Sequence, residues 1–483
     1  MKSLFKVLPI LAILASSFVS QSLWADTASD STASIENRLN YLEQQIAILK
    51  RQLENNKEDA KAKATDTPVI TANAKDGFSI KSADGNYSLK LGGYTQVVAR
   101  EFADNKKGEL SYASSVIPRR VRLIISGTVA RDFDYYVQPE FGYPNTYSVS
   151  SGTVAASPSA YGVALQDAWL DWKYFPQATI KVGKFKTPFD LENLQDTRYT
   201  AFTELGLTSN LSPQRDVGAQ LGGSLFNDAV SYAGGIFDGS ADKENGYGGY
   251  NTGGDTNSKS GTGRIFIKPF KNTNIEPLKG FGVGYAASYG KEKGSDLPFY
   301  VSPGQAPVFY YNNGVSAAGP QIRTSPQAYY YYKSLGVLGE AVSSQEDLKY
   351  TSGTHIYRDK PTNKAWELTG SYVLTGEDAS YNGVVPRHDF DLRDGQWGAF
   401  ELVSRYGELK LDHTIFDNGF ANLNTSISKE NTWATGINWY LNRNVKLAAD
   451  FEQTKFTRGA VNGVSTDDRK TENLFTGLAQ LSF

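Results

Sequence analysis

Thr471-Glu472-Asn473-Leu474-Phe475-Thr476-Gly477-Leu478-Ala479-Gln480-Leu481-Ser482-Phe483 alternates in character from one residue to the next. Phe475, Gly477, Ala479, Leu481 and Phe483 share one parity, whereas Thr476, Gln480 and Ser482 share the other. A period of two puts these sets on opposite faces of a β-strand. One face is apolar throughout and ends on an aromatic ring. Such a strand wants an apolar environment on one side and tolerates water on the other.

The same alternation recurs upstream. Ala168, Leu170, Trp172 and Tyr174 oppose Asp167, Trp169, Asp171 and Lys173. Trp366, Leu368, Gly370, Tyr372 and Leu374 oppose Glu367, Thr369, Ser371, Val373 and Thr375, and Val445, Leu447, Ala449 and Phe451 oppose Lys446, Ala448, Asp450 and Glu452. In a soluble sandwich the apolar faces would meet a second sheet. In a membrane barrel they would meet lipid, with the polar faces turned to a wet lumen. The connections favour the barrel. Short turns at 131–134, 175–178, 226–228 and 442–444 alternate with long stretches at 144–164, 187–215, 239–261, 292–327 and 458–471. Loops at one end and turns at the other produce that rhythm. One connection, 376–396, is long where a turn is expected.

Sixteen strands are predicted, near 87–101, 118–130, 135–143, 165–175, 178–186, 216–225, 229–238, 262–270, 280–291, 328–333, 337–349, 365–375, 397–412, 432–441, 445–457 and 472–483. The expected fold is all-β, a transmembrane antiparallel β-barrel of about 16 strands, preceded by a short coiled-coil helix. An even count of this size leaves an aqueous channel.

The bulk composition fits this reading without announcing it. The 483 residues include 46 Gly, 29 Tyr and 25 Phe, no Cys and a single Met, with a mean hydropathy of -0.41. The absence of Cys excludes disulfides and Cys-ligated metals. Residues 1–25 read as a signal peptide, with Lys2 and Lys6, an apolar core from Leu8 to Val19, and Leu23-Trp24-Ala25 before Asp26. Its removal takes two lysines and no acids, leaving 47 basic and 51 acidic residues and a formal charge of -4. Residues 26–56 carry a helix whose Ile35, Leu39, Leu42, Ile46, Leu49 and Leu53 form a heptad seam over 34–56. The alternative is a single amphipathic helix lying on another surface. Residues 57–76 read as a linker and 77–483 as the barrel.

Several stretches resemble the phosphate-selective porin O and P family over most of 77–483. They are Leu91-Gly92-Gly93, Pro118-Arg119-Arg120-Val121-Arg122-Leu123, Gly183-Lys184-Phe185 with Phe189 and Leu191-Glu192, Tyr372-Val373-Leu374-Thr375-Gly376-Glu377, and Gly436-Ile437-Asn438-Trp439-Tyr440. The resemblance implies a homotrimer in the outer membrane of a Gram-negative bacterium, in contact with outer-membrane lipid, with small anions and other solutes diffusing through each barrel. It implies no cofactor and no nucleic acid partner. Arg119 and Arg120 match the family's paired arginines near the constriction, Lys90 and Lys75 match basic positions below it, and 187–215 matches the loop that narrows the pore. Three departures argue against phosphate selectivity. Tyr94 stands where the family has a basic residue after the Gly pair, and Asn193 where it has a lysine. The stretch 292–327, which in the family supplies an arginine ladder, carries only Arg323.

From the residues themselves, Arg120 and Arg122 share the lumen parity, and Arg119 must sit at the strand mouth or on a bulge. An arginine facing lipid at the midplane costs about 2–4 kcal/mol, so the lumen or rim is where they belong. They are expected to attract anions; the alternative is ion pairing with Asp167, Asp171 or Glu401. Asp190, Glu192, Asn193, Asp196, Arg198, Glu204 and Arg215 form the expected constriction loop, whose mixed charges would set a transverse field. The other reading of that segment is an ordinary surface loop. An enzyme is not expected. His355, His388 and His413 fall in or beside loops, and Gly282-Val283-Gly284-Tyr285-Ala286-Ala287 precedes a strand pattern and not the helix a dinucleotide site needs. The rival class is an outer-membrane tether or adhesin with a plugged barrel, its helix touching the cell wall.

Overall fold

The computed structural model describes residues 30–73, 77–103, 114–142, 147–150, 153–156, 163–239, 259–295, 297–460 and 467–483. Residues up to Thr67 form one compact unit and Pro68–Phe483 another. The expected signal segment and Lys75 lie outside the described residues.

Helix α1 runs Asp30–Asp66, longer than the seam alone suggested. The stretch expected to be a linker is rich in Lys and Ala, which favour helix, and the helix stops just before Pro68. Leu39, Leu42, Ile46, Leu49 and Leu53 are all exposed. Among the described residues, no helix is long and apolar enough to cross a membrane.

The second unit opens with a hairpin, Val69–Asn73 paired with Gly77–Lys81, in part of the segment expected to be a linker. Sixteen long strands follow: β1 Ser88–Ala103, β2 Ser115–Val129, β3 Phe133–Glu140, β4 Ala164–Phe175, β5 Ala178–Lys186, β6 Arg215–Leu225, β7 Val230–Phe237 and β8 Ser260–Ile267. The remainder are β9 Phe281–Gly294, β10 Val315–Tyr332, β11 Leu335–Ser352, β12 Thr362–Val373, β13 Ala399–Lys410, β14 Lys429–Tyr440, β15 Val445–Thr457 and β16 Glu472–Ser482. Each pairs antiparallel with the next, and β16 pairs back with β1 from Asn473↔Ala103 to Ser482↔Tyr94. The sheet is closed, so no edge is left unpaired in lipid.

Parity does what the sequence pattern requires. On β16, Phe475 and Leu481 are exposed while Thr476, Gln480 and Ser482 are buried. On β12, Trp366, Leu368 and Tyr372 face outward while Glu367 and Thr369 are buried inside. Exposed apolar side chains around the whole outer wall form the band that lipid covers.

β10 is where the sequence reading fell short. The expected strand 328–333 is the end of an 18-residue strand, and the expected loop 292–327 shrinks to 295–314. Pro320 and Pro326 disguised it. Both sit where the ladder to β11 is interrupted, between Ala317 and Gln321 and between Thr324 and Gln327, so their missing N–H groups cost little. β11 also continues into a small hairpin with His355–Asp359.

Candidate functional site

After β5 the chain turns into the barrel and stays there until β6. Apolar anchors hold it. Phe189, Leu207 and Leu211 join an interior cluster with Ala286, Val342 and Leu348, while Leu191 packs with Phe266 and Leu338, and Phe202 with Val403 and Ala434. A single helical turn, Leu191–Leu194, is capped by Asp190, which accepts from the Asn193 amide at 2.7 Å. Its free amides at Leu191 and Glu192 donate to the two oxygens of Glu340 on β11 at 2.9 and 3.0 Å. Glu192 in turn binds Arg405 of β13 at 3.2 Å and accepts from the Gly206 amide at 2.7 Å. The loop thus reaches the wall formed by β11–β13 and is pinned there by side chains of opposite character.

On the wall formed by β1 and β2, the register shifts between Gln96↔Arg120 and Val97↔Pro118, leaving Arg119 as the extra residue of a bulge. That bulge turns Arg119 inward beside Arg120. From sequence these arginines are expected to attract anions, with ion pairing to Asp167, Asp171 or Glu401 as the alternative. The structure instead brings Glu204 from the constriction loop among them, paired with Arg119 at 2.7 Å, Arg100 at 2.8 Å and Arg120 at 2.9 Å. Arg122 is held by Glu140 at 2.5 Å and donates to the Tyr94 hydroxyl at 2.6 Å. All four arginines are buried. Among the described residues they form ion pairs with Glu204 and Glu140, and not with Asp167, Asp171 or Glu401. Burial works against ionisation of Glu204, but Arg119, Arg120 and Arg100 outweigh it and hold its carboxyl well below the usual range.

The remaining residues singled out from sequence divide by location. Asp196 pairs with Arg198 at 2.7 Å, and the Arg198 guanidinium lies 5.7 Å from the Tyr94 ring. Arg215 pairs with Asp167 at 3.1 Å. Asn193 is buried, and its carbonyl accepts from the Lys186 ammonium at 2.5 Å. Lys90 lines a cavity of about 780 Å³ at the turn end of the barrel, together with Asp196, Arg198, Arg387 and Arg443.

A second cavity of about 390 Å³ adjoins it at Tyr136 and Asp196. Three of its cations were overlooked: Lys181, Lys186 and Arg264, none of which has a carboxylate within salt-bridge distance among the described residues. Lys181 could have been found, since it stands in the lumen parity of β5, and so could Arg264 on β8. Isolated cations in otherwise ordinary strands carry no motif, so strand phase was the only signal. A smaller cavity of about 60 Å³ continues past Arg122 and Arg215 to Arg119, Arg120 and Glu204. The cavity of about 390 Å³ shares lining residues with each of the other two, and it and the smaller one follow the β1–β8 side of the lumen.

The opposite side is filled. The loop 295–314 brings Tyr300, Val308, Phe309 and Tyr311 into the interior cluster, joined by Ile415, Phe420 and Ile427 from the loop 411–428. The long turn 374–398 enters from the other end. Within it, Tyr381 donates its hydroxyl to the Leu191 carbonyl at 2.6 Å and its own carbonyl accepts from Gln195 at 2.8 Å. Its extra length is explained by this contact with the constriction loop.

A closed sixteen-stranded barrel, apolar outside, charged inside and narrowed by an inward loop, defines an outer-membrane porin. The chain belongs to the phosphate-selective porin O and P family, whose model matches residues 89–483. It is 23% identical to Porin O of Pseudomonas aeruginosa over 426 residues, covering 84% of this chain and 91% of that one. Among solved structures it is similar to the outer membrane channel DcaP of Acinetobacter baumannii, at 10% identity and a TM-score of 0.50, covering 83% of this chain and 99% of the other. A porin of Comamonas acidovorans described as anion-selective matches at 10% identity and a TM-score of 0.48, covering 82% and 100%. The protein is a channel of the Gram-negative outer membrane.

Proposed function

We propose that small hydrophilic solutes diffuse passively along the β1–β8 side of the lumen, with anions preferred. The observation carrying this is the set Lys181, Lys186 and Arg264 around one cavity, none of them in a salt bridge among the described residues, while Asp167 and Asp196 on the same cavity are paired with Arg215 and Arg198. Fixed charge in a narrow, low-dielectric passage raises the local concentration of the opposite ion. Of the predicted pore residues, Arg119, Arg120 and Arg122 contribute less than their number suggests, because Glu204 and Glu140 answer them. No covalent chemistry belongs to this reading. Phosphate is expected to block chloride current weakly or not at all, since Tyr94 and Asn193 replace basic residues and the loop 295–314 contributes aromatic rings in place of arginines. Reversal potentials across a planar bilayer in a potassium chloride gradient test the preference. A cation-selective channel would refute it.

Three chains are proposed to associate, their N-termini gathered by the heptad seam of α1, which is too short to persist alone in water. The mass of the detergent-solubilised protein with and without residues 30–66 tests this. The tether reading draws support from one feature, the apolar cluster of Tyr300, Phe309, Phe420 and Ile427 inside the barrel. It requires that no water-filled conductance be measurable.

A further inference from the structure

The cavity of about 390 Å³ combines its cations with aromatic faces, and inorganic phosphate has no use for the latter. Tyr136 and Trp169 stack in parallel, 5.2 Å between ring centroids and 2° between planes. The Lys181 ammonium lies 4.4 Å from the Trp169 ring centroid and 5.6 Å from that of Phe185. Across the space, the Arg264 guanidinium is backed by the Phe266 ring, which lies outside the cavity lining with its centroid 4.7 Å away. A hydrated phosphate needs converging N–H and O–H donors, and burying it against rings would strip its water without replacement. A planar ring bearing one carboxylate uses both features, the ring against the aromatic wall and the carboxylate at an ammonium or guanidinium.

Charge narrows the class further. Asp167 and Asp196 line the same cavity, and Arg122 and Arg215 are committed to Glu140 and Asp167. Asp167 and Asp196 are themselves paired with Arg215 and Arg198, so Lys181, Lys186 and Arg264 are the cations left to meet a carboxylate. From this we infer that the cavity is a binding site for aromatic monocarboxylates, held there on their way through the channel. It rests on the channel reading above and sharpens it from anions in general to a planar, apolar-bodied anion.

The experiment compares block of chloride current through the full-length protein in planar bilayers by benzoate, acetate and inorganic phosphate. Benzoate is expected to block at about tenfold lower concentration than acetate, the gain of a stacked ring. Trp169→Leu should remove the difference between benzoate and acetate, and Lys181→Gln should weaken both. Heat-dependent gel mobility confirms that each variant is a folded barrel. Equal block by benzoate and acetate, indifference to Trp169→Leu, or phosphate blocking more tightly than benzoate would each overturn the inference. If no chloride conductance exists, the channel reading fails instead. Calorimetric titration of the purified barrel with benzoate then decides the site by itself: binding lost in Trp169→Leu supports it, and no binding overturns it.

Discussion

Glu204 grips Arg119 with both carboxylate oxygens, Oε1 to Nε at 2.7 Å and Oε2 to Nη2 at 3.1 Å, although the two residues are 85 positions apart in the chain. The same carboxylate also serves Arg100 and Arg120. It therefore fixes the constriction loop to the wall and cancels part of the charge that the arginines bring.

Glu204→Gln separates those two roles. Three buried guanidiniums would lose the charge of Glu204, loosening the loop by about 3–5 kcal/mol. The passage would become more positive, so the anion-to-cation permeability ratio is expected to rise. Reversal potentials measured before and after the substitution check this, and a fall in the ratio contradicts it.

Acid should leave the Glu204 anchor of the constriction loop intact over a wide range. The ordinary value of a glutamate here is 4.5, and that of Glu204 in the folded barrel is lower. A depressed carboxylate contributes stability that is fully present above its unfolded value and is lost only as pH falls through the folded one. From about pH 8 to about pH 4.5 the contribution of this group is constant, and it disappears in stronger acid. Fluctuations that arise from release of Glu204, recognised in single-channel records by comparison with Glu204→Gln, should appear only at the acid end.

Tyr381→Phe removes the hydroxyl that satisfies the Leu191 carbonyl, leaving a buried acceptor unpaired at a cost of about 1–3 kcal/mol. The turn 374–398 would then hold the constriction loop less firmly. Open-channel current is expected to become noisier and larger, while the thermal stability of the barrel wall changes little.

Gly93→Val acts on the wall itself. A Cβ at Gly93 would stand 2.6 Å from the Arg122 carbonyl and 3.0 Å from the Phe483 ring. Gly93 and Phe483 exchange two backbone hydrogen bonds of 3.0 Å, which the clash would force apart. Overpacking of this kind costs about 1–3 kcal/mol. The temperature at which the folded band converts to the unfolded one on a gel should fall.

Strand phase was legible because a half-buried strand must alternate, and β4, β12, β15 and β16 do so without interruption. It showed which way Arg120 and Arg122 point. What meets them was not legible, since Glu204 arrives on a loop whose path depends on Phe189, Leu191 and Phe202 finding apolar niches on distant strands. β10 was cut short for a local reason, its prolines resembling a loop. The filling of the lumen by Tyr300, Phe309 and Tyr311 was hidden because aromatic residues in a long connection look the same whether they face solvent or one another.

The pairing of β16 with β1 has a consequence in time. Gln96 donates to Gln480 at 2.7 Å across a separation of 384 residues, whereas the other barrel strands pair with the next along the chain. Those neighbours can form as hairpins, one after another, but this last junction has to wait until the others are in place, and long-range pairing is slow. Until then two raw edges face the membrane with unspent hydrogen-bonding groups. Damage at Gly93 or Gln480 would therefore register first as a delay in assembly, before any pore exists whose current could be measured.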